Sequence, residues 1–154
     1  MKKLSLIALL LCSLNAFAQN DPQKMIDEFF KLYKEKSSDA ALDYLFGTNK
    51  WVKDSKDQIE NVKFKINSTV IKAMGDYYGY ELITKKSVGD KLSYSTFRIR
   101  YDRQPIRFNF LFYSPSGNGQ WRLQNFSFDD KISDELEEAS KMLYQLIGKS
   151  TTEH

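Results

Sequence analysis

The stretch KLSYSTFRIRYDRQPIRFNFLFY, residues 91–113, alternates apolar and polar residues on both sides of an Arg103-Gln104-Pro105 turn signal. Alternation with a period of two marks half-buried strands, and two such runs flanking a short turn form an antiparallel hairpin. With Arg103-Gln104 at the tip, Tyr101 opposes Ile106, Ile99 opposes Phe108, Phe97 opposes Phe110 and Ser95 opposes Phe112. All the large apolar side chains then share one face. The other face pairs Arg100 with Arg107, Arg98 with Asn109, Thr96 with Leu111 and Tyr94 with Tyr113. A one-residue slip would scatter this segregation, so the pattern fixes which face is core.

Working outward, residues 77–86 and 120–128 read as strands on either side of the hairpin strands 91–102 and 105–113, separated by Val88-Gly89-Asp90 and by residues 115–119. Trp121 and Leu123 continue the core face, with Arg122 and Gln124 on the other. Phe126 and Phe128 fall out of phase, which predicts a bulge or a change of exposure between them and Leu123. Upstream the period becomes helical. Asp21-Pro22 is an N-cap followed by proline at the first helical position, ahead of Met25, Ile26, Phe29, Phe30, Leu32 and Tyr33 on one face. Ser38 starts a second helix ending at Gly47, and a further helical stretch from Trp51 to Gly75 carries Ile59, Val62, Ile66 and Val70. Residues 133–147 read as a last helix with an apolar stripe of Leu136, Ala139, Leu143, Leu146 and Ile147, expected to dock on the domain itself, with a second subunit as the alternative. Helices followed by consecutive strands give an α+β class: N-terminal helices on a curved four-stranded antiparallel sheet, plus a C-terminal helix.

The N-terminus adds an address. Lys2-Lys3, an apolar run from Leu4 to Leu14 and Ala16-Phe17-Ala18 form a secretory signal peptide, with cleavage expected after Ala18 and a secreted or periplasmic destination. Leu11 before Cys12 does not fit a lipoprotein signal. The expected domains are therefore a signal peptide at 1–18, an α+β domain at 19–131 and an amphipathic helix with its tail at 132–154. The apolar core of the signal is too short for a stable membrane span. Its removal lowers the formal charge from +3 to +1, which gives no electrostatic reason to expect nucleic acid as a partner.

Cys12 and His154 are the only cysteine and histidine, so the folded body carries neither. Ser-His-Asp and Cys-His nucleophile systems are excluded on that ground, as are the usual zinc and haem ligand sets. No metal, cofactor or catalytic residue is assigned. Trp51, Tyr80, Tyr101 and Trp121 are candidates for lining a small-molecule cavity between helices and sheet. Arg98, Arg100, Arg107 and Arg122, edged by Tyr94 and Tyr113, are candidates for an anion or partner face, with a solvated face relieved by Glu81 as the plainer account. A carboxylate with a tyrosine, Asp102 or Glu81 with Tyr80 or Tyr101, is the least implausible acid/base pair.

The segments GDYYGYELIT (residues 75–84), IRYDRQPI (99–106) and FLFYSPSGNGQWRLQNFSF (110–128), following helices, resemble the nuclear transport factor 2-like superfamily, and within it secreted bacterial members of unknown function. That resemblance implies a cone-shaped fold with an internal cavity and frequent dimerisation. The superfamily's enzymes use an Asp or a His-Asp pair that has no counterpart here. The expectation is a non-catalytic binding module for an unknown small molecule or protein, with a homodimer among its assemblies. The alternatives are a small acid/base enzyme with a cavity carboxylate and a structural dimerisation protein.

Overall fold

The computed structural model describes residues 21–116 and 119–150; the expected signal peptide, Gly117-Asn118 and His154 lie outside the described residues. Helix α1 (Pro22–Glu35) starts where Asp21 accepts the Gln23 N–H at 2.7 Å and proline occupies the first turn. It buries Met25, Ile26, Phe29, Phe30 and Tyr33. Ser37, one residue before the expected cap, accepts the Ala40 N–H at 3.1 Å and opens α2 (Ser38–Gly47).

The expected long helix is broken. Asn49 caps α3 (Lys50–Lys53), α4 runs Lys56–Lys65, a π-helical segment follows at Ile66–Ile71, and α5 is the short turn Lys72–Met74. The break has a chemical reason. β-Branched Ile66, Thr69, Val70 and Ile71 are poor α-formers, and Ser68 Oγ donates back to the Phe64 carbonyl at 2.6 Å. The wide turn buries Ile66 and Val70 while Asn67 accepts from Ser38 Oγ at 2.6 Å and donates to Asp39 at 2.8 Å. Gly75 ends the run at φ +80, where a Cβ would stand 2.7 Å from Asp102 Oδ2.

The sheet is an antiparallel meander in the order β1 (Tyr77–Val88), β2 (Leu92–Tyr101), β3 (Ile106–Tyr113), β4 (Arg122–Asp129). The face assignment holds: Phe97, Ile99, Phe108, Phe110, Phe112 and Leu123 are buried against the helices. The register differs by two residues. Ile99 faces Ile106, Phe97 faces Phe108, Ser95 faces Phe110 and Arg98 faces Arg107. Tyr101 pairs instead with Tyr77 of β1, and the Asp102 and Arg103 N–H groups bond to the Asp76 and Met74 carbonyls. Those contacts pull the end of β2 toward β1 and widen the loop to β3.

The β3–β4 ladder slips between Leu111 and Phe112, so Leu123 pairs with Phe112 while Phe126 and Phe128 pair with Phe110 and Phe108. This is the expected bulge, and it brings Phe126 back to the core face. The Thr48-Asn49 loop secures that end of β4: Thr48 Oγ1 accepts the Leu123 N–H at 3.0 Å and Asn49 donates to the Leu123 carbonyl at 2.7 Å. The core is largely phenylalanine, with Phe29 edge-on to Phe110 at 5.3 Å and Phe30 edge-on to Phe97 at 5.5 Å.

Helix α6 (Ile132–Ser150) departs from expectation. Its first turn reaches the sheet through Glu135 and Arg107, but Leu136 and Leu143 are exposed rather than docked on the domain. Leu146 and Ile147 of the stripe have side chains outside the description.

Candidate functional site

Sequence alternation alone cannot put Tyr77 and Tyr80 on one face, since they are three residues apart. A bulge does so. Tyr77 pairs with Tyr101 and Gly79 with Arg100, leaving Tyr78 as the extra residue. Tyr77 and Tyr80 therefore both turn toward α1. Tyr80 stacks on Phe30 at 3.7 Å with nearly parallel rings, and Tyr77 lies 5.4 Å from Tyr33. Gly79 adopts φ +131, and Arg100 crosses it to donate to the Tyr78 carbonyl at 3.2 Å.

Between this segment and α1 lies a groove of about 540 Å³. Its floor is Phe30, Tyr77, Gly79 and Tyr80, and its walls carry Asp27, Lys31, Lys34, Glu35, Tyr78 and Arg100. Burial, with the neighbouring Tyr80 and Tyr101 phenols, pushes Tyr77 up to about 12; burial and the Asp27 carboxylate raise Tyr80. Both phenols stay protonated at neutral pH. Lys31 pairs with Glu28 at 3.5 Å, and Asp27 accepts from Gln23 at 3.0 Å. The side chains of Lys34 and Glu35 make no hydrogen bond or ion pair among the described residues.

The four residues expected to line a cavity are not brought together. Tyr80 lines the groove. Tyr101 is buried behind it and shares a 2.6 Å hydrogen bond with Tyr33. Burial and the Tyr101 charge and hydrogen bond raise Tyr33 above the usual phenol range; burial moves Tyr101 up to about 12. Trp121 sits at the far corner of the sheet, beside the Tyr113 end of β3, half-buried against the core. Trp51 is 69% exposed with the Lys50 ammonium 5.0 Å from its ring centroid.

The arginine face is largely neutralised within the chain. Glu81 contacts both Arg98 and, at 3.4 Å, Arg100. Arg107 grips Asp129 with two bonds of 2.9 and 3.0 Å and Glu135 with one of 2.7 Å. Arg122 lies 5.8 Å from the Tyr113 ring, and its Nε is buried without an acceptor among the described residues. Tyr94 donates to Asn109 at 3.1 Å. Carboxylates between the arginines are what cross-strand charge repulsion requires.

Both candidate carboxylates are engaged by neighbouring donors. The Arg98 hydrogen bond holds Glu81 below its ordinary value, and the Tyr78 hydroxyl, then the Asp76 N–H, do the same for Asp102. Asp102 instead ties the Gly75-Asp76 turn to the end of β2. Among the described residues there is no cluster of three potential metal ligands, and no helix is long and apolar enough to cross a membrane.

The groove residues Asp27, Lys31, Lys34 and Glu35 were hidden from sequence reasoning because they read as the solvated face of α1. The signal that could have found the groove is Tyr77-Tyr78-Gly79-Tyr80: a glycine among strand tyrosines marks a bulge or close backbone approach. No family model, curated protein or solved structure matches the chain.

Proposed function

We propose that this chain is an exported, non-catalytic binding module whose ligand occupies the groove between α1 and β1. The observation that carries the reading is the groove itself: phenol rings on its floor, and a lysine and a glutamate on its rim whose side chains have no partner among the described residues. Apolar surface flanked by a few convergent polar groups is the usual form of a ligand site. Membership of the nuclear transport factor 2-like superfamily is part of the proposal, supported by helices leading into an antiparallel meander. Export rests on the N-terminal sequence, and mass spectrometry of protein from a Gram-negative host should show a chain beginning at Gln19.

The test is a protein-observed NMR screen of amino acids, short peptides and monosaccharides against the protein beginning at Gln19. Hits should perturb the Tyr77 and Tyr80 ring signals and weaken in Lys34→Glu. Hits that perturb only Trp51 or the Arg122-Tyr113 corner would move the site elsewhere.

A structural dimerisation role is the second reading, favoured by exposed Leu136, Met142 and Leu143 on α6. Truncation after Lys131 tests it by light scattering. A halved mass supports assembly through α6; an unchanged mass removes it. The truncation also removes the Glu135–Arg107 ion pair, so stability should fall by about 1 kcal/mol.

A further inference from the structure

The groove has an open sheet edge for one wall. β1 is an outer strand of the meander, and its twelve residues extend about 40 Å. Among the described residues, its outer side makes no backbone hydrogen bond from residue 77 to residue 88. Four consecutive residues of that edge, 77–80, line the groove, and at Gly79 no side chain of its own covers the backbone, which only the Arg100 guanidinium crosses. An unpaired strand edge facing a helix across a channel is the geometry in which extended peptides add as a further strand. Backbone bonds then supply affinity and alternate side chains supply selectivity.

Two bulges interrupt β1, at Tyr78 and at Ile83, and bulges are one way a chain protects an edge. Between them, residues 79–82 keep regular pairing with β2, and Leu82 is 53% exposed just past the groove. Lys31, Lys34 and Arg100 line the groove against Asp27 and Glu35; Glu28 pairs with Lys31 and Glu81 with Arg100, which leaves Lys34 and the exposed Lys85 and Lys86 along the same edge as the uncompensated cations. The cationic excess disfavours a second copy of β1, whose own lysines would be brought close, and favours an acidic occupant.

Resting on the groove as the binding site, we propose that an extended, acidic peptide segment of another protein adds as a fifth strand along residues 79–82, against α1. Apolar side chains of the segment would meet Leu82 and the Tyr80 ring, and its carboxylates would meet Lys31, Lys34 and the lysines beyond.

A random peptide library displayed on phage, selected on the protein beginning at Gln19, supplies the probes; enriched sequences are synthesised and titrated. The expected peptides are rich in Asp and Glu, slow amide exchange at residues 79–82, and bind about tenfold or more weakly to Lys31→Glu/Lys34→Glu. Both lysines are exposed, so the variant should fold; an unchanged thermal midpoint establishes that it has. If enriched peptides shift the Tyr77 and Tyr80 rings but leave β1 amide exchange unchanged, strand addition is overturned and the groove stands. Failure of both readouts, or absence of any enriched peptide together with no hit in the small-molecule screen, overturns both. Concentration-dependent protection of β1 without peptide would assign the edge to a second copy and overturn the acidic-peptide occupant.

Discussion

Phe110→Ala probes the centre of the packing. Phe110 is fully buried, with ring centroids 5.3 Å from Phe29 and Phe126, 5.8 Å from Phe97 and 5.9 Å from Phe30. Losing the burial of one phenylalanine removes about 1.5–3 kcal/mol of transfer free energy. The four surrounding rings brace one another, so the site cannot collapse fully, and the residual cavity brings the cost to about 3–5 kcal/mol. For a domain of this size that corresponds to a midpoint lower by roughly 10–20 °C. Urea unfolding followed by circular dichroism measures it, with the m-value unchanged because the unfolded surface is nearly the same. Phe64→Ala is the internal control: Phe64 is 70% exposed, and its loss should stay within about 0.5 kcal/mol. A loss under 1 kcal/mol for Phe110, or equal losses at the two positions, would refute the placement of the core between α1 and the sheet.

Arg107→Met should leave Asp129 and Glu135 facing each other and cost about 1–3 kcal/mol at neutral pH in chemical denaturation. Burial raises the Asp129 pKa, but bonds from Arg107 and the Lys131 N–H outweigh it and hold the group low. A depressed folded pKa contributes stability above the unfolded value, lost as pH falls below about 4 through the folded value; unfolding curves should show this acid loss flattened in Arg107→Met. Gly75→Ala places a methyl 2.7 Å from Asp102 Oδ2 at φ +80 and should cost about 1–3 kcal/mol, part of it recovered in Gly75→Ala/Asp102→Ala by a double-mutant cycle. Tyr33→Phe strands the buried Tyr101 hydroxyl at about 1–3 kcal/mol, whereas Tyr33→Phe/Tyr101→Phe should be closer to wild type in the same assay.

The α+β class and the core face were legible in residues 91–113, because alternation over two strands leaves only one face able to bury Phe97, Ile99, Phe108 and Phe110. A shift of two residues preserves that segregation, so the sequence could not choose between Ile99 opposite Phe108 and Ile99 opposite Ile106. The choice came from Tyr77, Asp76 and Met74, which bond to Tyr101, Asp102 and Arg103 across more than twenty residues of chain. The bulge before Phe126 announced itself as a break in phase; the bulge at Tyr78 did not, because three tyrosines and a glycine give no phase to break.

The candidate site was therefore only partly readable. Tyr80 and Arg100 stood out by type, but Asp27, Lys31, Lys34 and Glu35 become groove walls only when α1 lies beside the bulged strand. Glu81 could be suspected of relieving the arginines from its place in β1, whereas the pairing of Arg107 with Glu135 depends on where α6 leaves the sheet. Sequence by itself determined what must be buried, since apolar periodicity is a local property of the chain. Tertiary structure decided which polar groups meet, since charges and phenols carry no period and find their partners only through the packing of distant elements.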